Sequence, residues 1–181
     1  MRQASFGFLK DYKKEFGGSL LEGKRKTKRL ISTKHPLHLI LKSTHKNIFN
    51  PGNLSLEKLV RAQADKFGIQ VYDLALNWSH IHCLLRIRKR ADYIKFIRSL
   101  TAVLAMKIRQ SRPDLKVIFD LRPFTRILSW GRDFKRGLEY QILNQMEAMG
   151  LIIRPQKNQK KREKIRAKRK RPNRSLKLVA Q

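Results

Sequence analysis

Two histidines, a tyrosine and an asparagine carry the chemistry this chain could do. His80 and His82 stand two apart in Asn77-Trp78-Ser79-His80-Ile81-His82-Cys83-Leu84-Leu85-Arg86-Ile87-Arg88, a stretch in which apolar and polar residues alternate. Period two is the strand period. On a strand, Ile81, Cys83, Leu85 and Ile87 point to one face, and His80, His82, Leu84, Arg86 and Arg88 to the other. Both imidazoles then share a face, and such a pair can hold one divalent ion between its ring nitrogens. The plainer reading of an isolated His-x-His is two polar residues on a solvated sheet face, because short motifs recur by chance.

The tyrosine and asparagine lie on a helix expected over residues 132–150. There Phe134, Leu138, Ile142, Gln145 and Met149 form one stripe, and Tyr140, Asn144 and Glu147 fall on its neighbour at i, i+4, i+7. A tyrosine with its ordinary pKa of about 10 is a weak nucleophile until a metal or a cluster of charge assists it. A divalent ion between two histidines can polarise a phosphodiester oxygen and stabilise the charge that builds up during attack. The tyrosine oxygen then displaces the 3′ oxygen and holds the 5′ phosphate covalently, so the bond energy is kept for rejoining. No nucleotide or other small-molecule cofactor is needed. A hard ion such as Mg²⁺ or Mn²⁺ asks for more oxygen than two imidazoles supply, so Asn144, water and substrate phosphate would complete the shell, Glu147 being the weaker candidate. The competing reading makes Tyr140 an amphipathic residue at the edge of the core.

Composition bears on the choice. The chain has 181 residues, of which 43 are Lys or Arg and 13 Asp or Glu, for a net charge of +30. A folded chain so basic repels itself unless it meets a polyanion, which makes nucleic acid the leading partner. The single cysteine, Cys83, cannot form an internal disulfide and excludes a zinc finger built on paired cysteines, which suits a reducing cytoplasm. No run approaches the roughly 18 apolar residues that span a bilayer, and no signal peptide is evident.

These residues need a scaffold, and the hydrophobic periodicity outlines one. Residues 1–34 read as a basic arm, with Phe6, Phe8, Leu9, Tyr12 and Phe16 among the charges and Gly17-Gly18 interrupting any helix. Residues 36–43 read as a strand, apolar on both faces, in which the spacing of three sends His35 and His38 to opposite faces as structural or nucleic-acid-facing residues. After the Asn50-Pro-Gly-Asn53 turn, Ser55 is expected to cap a helix that Gly68 ends. Residues 69–76 form the next strand, linked to the histidine strand by so few residues that the two must be antiparallel. A long helix over 91–112, with Ile94, Ile97, Leu100, Thr101, Leu104 and Ile108 inward, stops at Pro113, and residues 122–129 read as a last strand. Strand, helix, strand, strand, helix, strand is the order of an α+β, ferredoxin-like split βαβ fold: an antiparallel sheet with both helices on one face. The other face is left open, and it is the face assigned to His80 and His82. The domain is expected over residues 35–153, with a C-terminal helix added, and residues 154–181 read as a basic tail, disordered alone and ordered on a phosphate backbone.

Taken together, these motifs resemble a known family. Asn-Trp-Ser-His80-Ile-His82-Cys-Leu-Leu is similar to the His-hydrophobic-His strand of the HUH endonucleases, above all the single-tyrosine transposases, including those associated with repetitive extragenic palindromes. Tyr140-Gln-Ile-Leu-Asn144-Gln-Met-Glu-Ala-Met-Gly-Leu resembles their catalytic helix, about sixty residues after the histidines and just after Trp130. The chain departs from the pattern where Pro-Asn-His-x-His is usual, at Gln145 where Pro is common, and at Met149-Gly150 where Ala-Gly is common. The resemblance implies Tyr140 as nucleophile, His80 and His82 as metal ligands with Asn144 as third ligand or its support, and Mg²⁺ or Mn²⁺ as the ion. It implies single-stranded DNA, often beside a hairpin, as the substrate, and it admits a homodimer in which the tyrosine helix lies near the other chain's histidines. Phosphate contacts are expected from Arg25, Lys26, Lys28 and Arg29 in the arm, from Arg86, Arg88, Arg122, Arg126 and Arg132 around the sheet, and from Lys160, Lys161, Arg169, Lys170 and Arg171 in the tail. Trp78 and Trp130 could stack bases, or could simply be core or strand-edge residues. The alternative function is a non-catalytic nucleic-acid-binding protein on the same fold, for structured DNA or RNA, although such sheets usually display aromatics rather than histidines.

Overall fold

The computed structural model describes residues 14–25 and 27–153. In chain order these form β1 (Glu15–Phe16), β2 (Leu37–Lys42), α1 (Leu54–Lys66), β3 (Gln70–Asn77), β4 (His80–Arg86), α2 (Arg90–Ser111), β5 (Phe124–Ile127) and α3 (Arg132–Ala148). The tail expected over 154–181, with Lys160, Lys161, Arg169, Lys170 and Arg171, lies outside the described residues, as does Lys26. Among the described residues no helix is long and apolar enough to cross a membrane.

The sheet order is β1-β5-β2-β4-β3, and each neighbouring pair is antiparallel. Without β1 this is the ferredoxin-like arrangement, in which the two β-α-β halves interleave. Alternation fixes the two faces. Leu37, Leu39 and Leu41 of β2, Leu74 and Leu76 of β3, and Ile81, Cys83 and Leu85 of β4 all enter one core with Leu56, Val60 and Ala64 of α1. A slip of one residue in β4 would move Ile81, Cys83 and Leu85 to the opposite face, so the hydrophobic pattern specifies the register strongly. It also fixes where His80 and His82 go.

Four local expectations are corrected. The cap of α1 is Asn53, not Ser55: its Oδ1 accepts the backbone N–H of Ser55 at 3.1 Å and of Leu56 at 3.2 Å, and an amide oxygen caps as well as a hydroxyl. The buried side of α2 is Tyr93, Phe96, Leu100, Leu104 and Ile108, whereas Ile94 faces outward, because the two aromatics fill the space beside the sheet and turn the helix. The arm contributes a strand: β1 pairs with β5, and Gly17 has φ +94° where a Cβ would meet the Pro123 carbonyl oxygen, a place only glycine suits. Finally, the face of His80 and His82 is not open, because α3 lies across it.

Helix α3 is seated at three points. At its start, Phe134 packs edge-on to Tyr72 and to Trp130, each with ring centroids 5.2 Å away. In the middle, Gly137 lies against Leu84 and Leu128 so closely that an added Cβ would come within 2.9 Å of Leu128 Cδ1. At its end, Trp78 Nε1 donates to the Ala148 carbonyl at 3.1 Å. The stripe turned to the sheet is therefore Gly137, Gln141, Asn144 and Ala148, while Ile142 and Met149 of the expected apolar face are exposed.

Candidate active site

Helix α3 brings its polar stripe onto the histidine strand, and the site forms where they meet. His80 and His82 share a face of β4, with ring centroids 4.6 Å apart. His82 is buried and His80 half-buried. The Tyr140 ring stands edge-on to that of His82 at 6.0 Å, and Tyr140 itself is 47% exposed, so it faces both the histidines and solvent. Asn144, one turn further along α3, is buried beneath it. All four residues expected to form the site thus lie on the two elements that meet here. A single chain brings the tyrosine helix to its own histidines.

Two buried side chains complete the arrangement. His38 of β2 shares a hydrogen bond with His82, Nε2 to Nδ1 at 3.1 Å, and its ring is edge-on to Tyr140 at 6.1 Å. Gln141 donates its amide Nε2 to the His82 carbonyl at 3.1 Å and is fully buried. Sequence reasoning missed both. The spacing from His35 says nothing of His38's neighbours, whereas its own strand does: Leu37, Leu39 and Leu41 claim one face, which leaves His38 on the face of the other histidines. Gln141 gave no signal, since an amide beside a tyrosine looks like a surface residue.

Burial sets the electrostatics. It pushes the His38 imidazole down to about 4, with the Arg126 charge a lesser cause, so that at neutral pH the ring is uncharged. It lowers His80 as well, with Lys42, its neighbour across the β2–β4 pair, second. Neutral imidazoles are the form that ligates metals. Among the described residues no group of three or more His, Cys, Asp or Glu is placed to hold an ion. A site here would therefore rest on two imidazoles, the Asn144 amide and oxygens from outside the chain. That donor set fits a divalent ion which keeps open positions for water and phosphate.

The basic residues divide. Arg25, Lys28, Arg86, Arg88, Arg126 and Arg132 are exposed and Arg122 half-buried. Arg126 also lies 3.3 Å from Asp133 and 4.0 Å from Glu15. Arg29 is turned inward instead: it donates to the Pro123 carbonyl at 2.7 Å and to Thr125 Oγ1 at 2.8 Å, and its guanidinium lies 4.6 Å from the Phe16 ring centre. Its charge holds the arm to the sheet. Both tryptophans keep an exposed ring while the indole N–H is tied down, Trp78 to Ala148 and Trp130 to the Lys34 carbonyl.

Comparison with known proteins gives the class. The model of the IS200-like transposases matches residues 31–124, and the chain belongs to that family. The match includes His80 and His82 and stops before α3. Among solved structures, a REP-associated tyrosine transposase bound to a REP hairpin aligns with a TM-score of 0.53 at 12% identity, over 68% of this chain and 73% of that one. A candidate transposase from Deinococcus radiodurans R1 aligns with a TM-score of 0.43 at 19% identity, over 67% of this chain and 98% of that one. At these identities the likeness is one of fold. No curated protein matches.

Proposed function

We propose that this transposase is a metal-dependent single-stranded DNA endonuclease and strand transferase that works through a 5′-phosphotyrosine intermediate. The observation that carries the reading is the Tyr140 ring standing 6.0 Å from that of His82, on a helix laid across the His-x-His face. A Mg²⁺ or Mn²⁺ ion held by His80, His82 and Asn144 would polarise a phosphate oxygen of the scissile bond. Tyr140 Oη attacks the phosphorus, an O–P bond forms, and the bond from phosphorus to the 3′ oxygen breaks. The phenolic proton is lost to solvent and the departing 3′ oxygen takes one up as a hydroxyl. Attack by another 3′ hydroxyl reverses the exchange and restores the tyrosine, so no nucleotide cofactor is consumed. The half-exposed Tyr140 gives the backbone a way in, and the exposed arginines around the sheet supply phosphate contacts. The hairpin in the solved relative supports a substrate of single-stranded or hairpin DNA.

The test is incubation of the protein with labelled single-stranded hairpins and Mn²⁺ or Mg²⁺, resolved on a denaturing gel beside Tyr140→Phe and His80→Ala. The expected product is a covalent protein–DNA adduct that needs the metal, Tyr140 and His80. Tight binding without any adduct across a broad hairpin library would refute the reading and leave a nucleic-acid-binding module.

A further inference from the structure

Both proposed metal ligands are held from behind at the same ring atom. His80 Nδ1 lies 3.0 Å from Ser79 Oγ, and His82 Nδ1 lies 3.1 Å from His38 Nε2. The two props differ in kind. A hydroxyl donates or accepts by turning about its C–O bond, so Ser79 tolerates either tautomer of His80. An imidazole fixed by packing has no such freedom, and only one of the two facing nitrogens can carry the proton. His38 is 7% exposed and lies nearly coplanar with His82, edge to edge, with 18° between ring planes and 5.3 Å between centroids. The Tyr140 ring stands at 75° to both, 6.1 Å from His38 and 6.0 Å from His82. Turning either ring out of this plane breaks the hydrogen bond between them.

We infer that His38 is a positioning residue whose Nε2 accepts the Nδ1–H of His82, which holds His82 in the tautomer with its lone pair on Nε2 and fixes the plane of its ring. The inference rests on the reading of His82 as a ligand to a divalent ion. It places His38 behind the ion and not on it: His38 does not join His80 and His82 in a three-histidine shell, since no such group is placed to hold an ion among the described residues. Ligating imidazoles generally give their other ring N–H to an acceptor, and loss of that acceptor lowers metal affinity about ten- to hundredfold. Register explains why β2 can supply the acceptor. Ile40 stands directly opposite His82, so His38 is the diagonal neighbour on the same face.

The test uses the full chain, free of metal and DNA, with ¹⁵N-labelled histidine, and compares the native protein with His38→Leu and His38→Gln. Leucine fills much of the space without an acceptor, whereas glutamine carries an amide oxygen about as far from the backbone as histidine carries Nε2. NMR of the ring nitrogens reads the His82 tautomer, and Mn²⁺ binding is titrated by electron paramagnetic resonance. The expected result is a proton on Nδ1 of His82 in the native protein and a mixture of tautomers in the leucine variant. Mn²⁺ affinity should fall about ten- to hundredfold in that variant and return to within about threefold of native in the glutamine variant. A native His82 that carries its proton on Nε2 would overturn the inference. So would a leucine variant with unchanged tautomer and affinity, or a glutamine variant no better than leucine. If no variant nor the native chain binds Mn²⁺ while the tautomer still follows residue 38, the hold of His38 on His82 stands and the metal reading falls.

Discussion

For the proposed tyrosine chemistry, replacing Gln141 with leucine should slow adduct formation strongly while leaving the fold nearly as stable as before. Gln141 sits beside Tyr140 on α3, is fully buried, and donates to the His82 carbonyl at 3.1 Å. Loss of one neutral buried hydrogen bond removes about 0.5–1.5 kcal/mol. Against that, Gln141 Oε1 has no hydrogen-bond partner among the described residues, and its removal recovers part of a desolvation penalty of about 1–3 kcal/mol. Leucine is similar in size and apolar, so the two terms nearly cancel and the midpoint in urea should move by less than about 1 kcal/mol equivalent. The rate behaves differently. Phe134, Gly137 and the Trp78 bond to Ala148 hold α3 on the sheet, and the Gln141 amide is the side-chain hydrogen bond that ties the turn bearing Tyr140 to the histidine strand. Without it a shift on the order of 1 Å becomes available to Tyr140, and misplacement of that size lowers rates by about a hundredfold. The assay is single-turnover formation of the covalent adduct at saturating hairpin DNA, with urea unfolding in parallel. A Gln141→Leu protein that forms adduct at the native rate, with the expected stability, would refute this account of how α3 is positioned.

Two further outcomes follow from residues away from the site. Arg29→Met should lower the melting temperature by about 4–8 °C, from the loss of two charge-assisted hydrogen bonds and the contact with Phe16, together about 2 kcal/mol after the lower desolvation of methionine is counted. Its salt dependence of DNA binding should stay native, and a slope shallower by about one unit would instead make Arg29 a phosphate contact. Cys83 is fully buried, and burial pushes its thiol up to about 12, so iodoacetamide at pH 8 should leave the folded protein unmodified and label it fully in urea. Rapid labelling of folded protein would contradict the burial of that face of β4.

Much of the fold was legible because the sheet has one strongly apolar face. Alternation in β4 and the order of strands and helices were enough to infer the interleaved sheet, and they put His80 and His82 on one face together. What they could not supply was register between strands. The pairing of His38 with His82 depends on how β2 slides along β4, a choice made by leucines that face the other way. The edge strand β1 escaped notice for a related reason: two residues, Glu15–Phe16, are too few to show a period.

The rotation of α3 is the more instructive error. Hydrophobicity alone turns Ile142 and Met149 inward, yet the stripe that meets the sheet is Gly137, Gln141, Asn144 and Ala148. A helix seated by its apolar stripe would carry Gln141 and Asn144 toward solvent and place large aliphatic side chains over His38 and His82. Close approach to those rings needs small residues, and burial of polar groups needs partners on the sheet, which the His82 carbonyl provides for Gln141. Such a helix gives up apolar burial to set amides beside imidazoles. Departures of this kind from local hydrophobic pattern are expected where a chain serves chemistry before stability. On that argument the buried amides of α3, rather than the His-x-His motif alone, distinguish this sheet face from an ordinary solvated one.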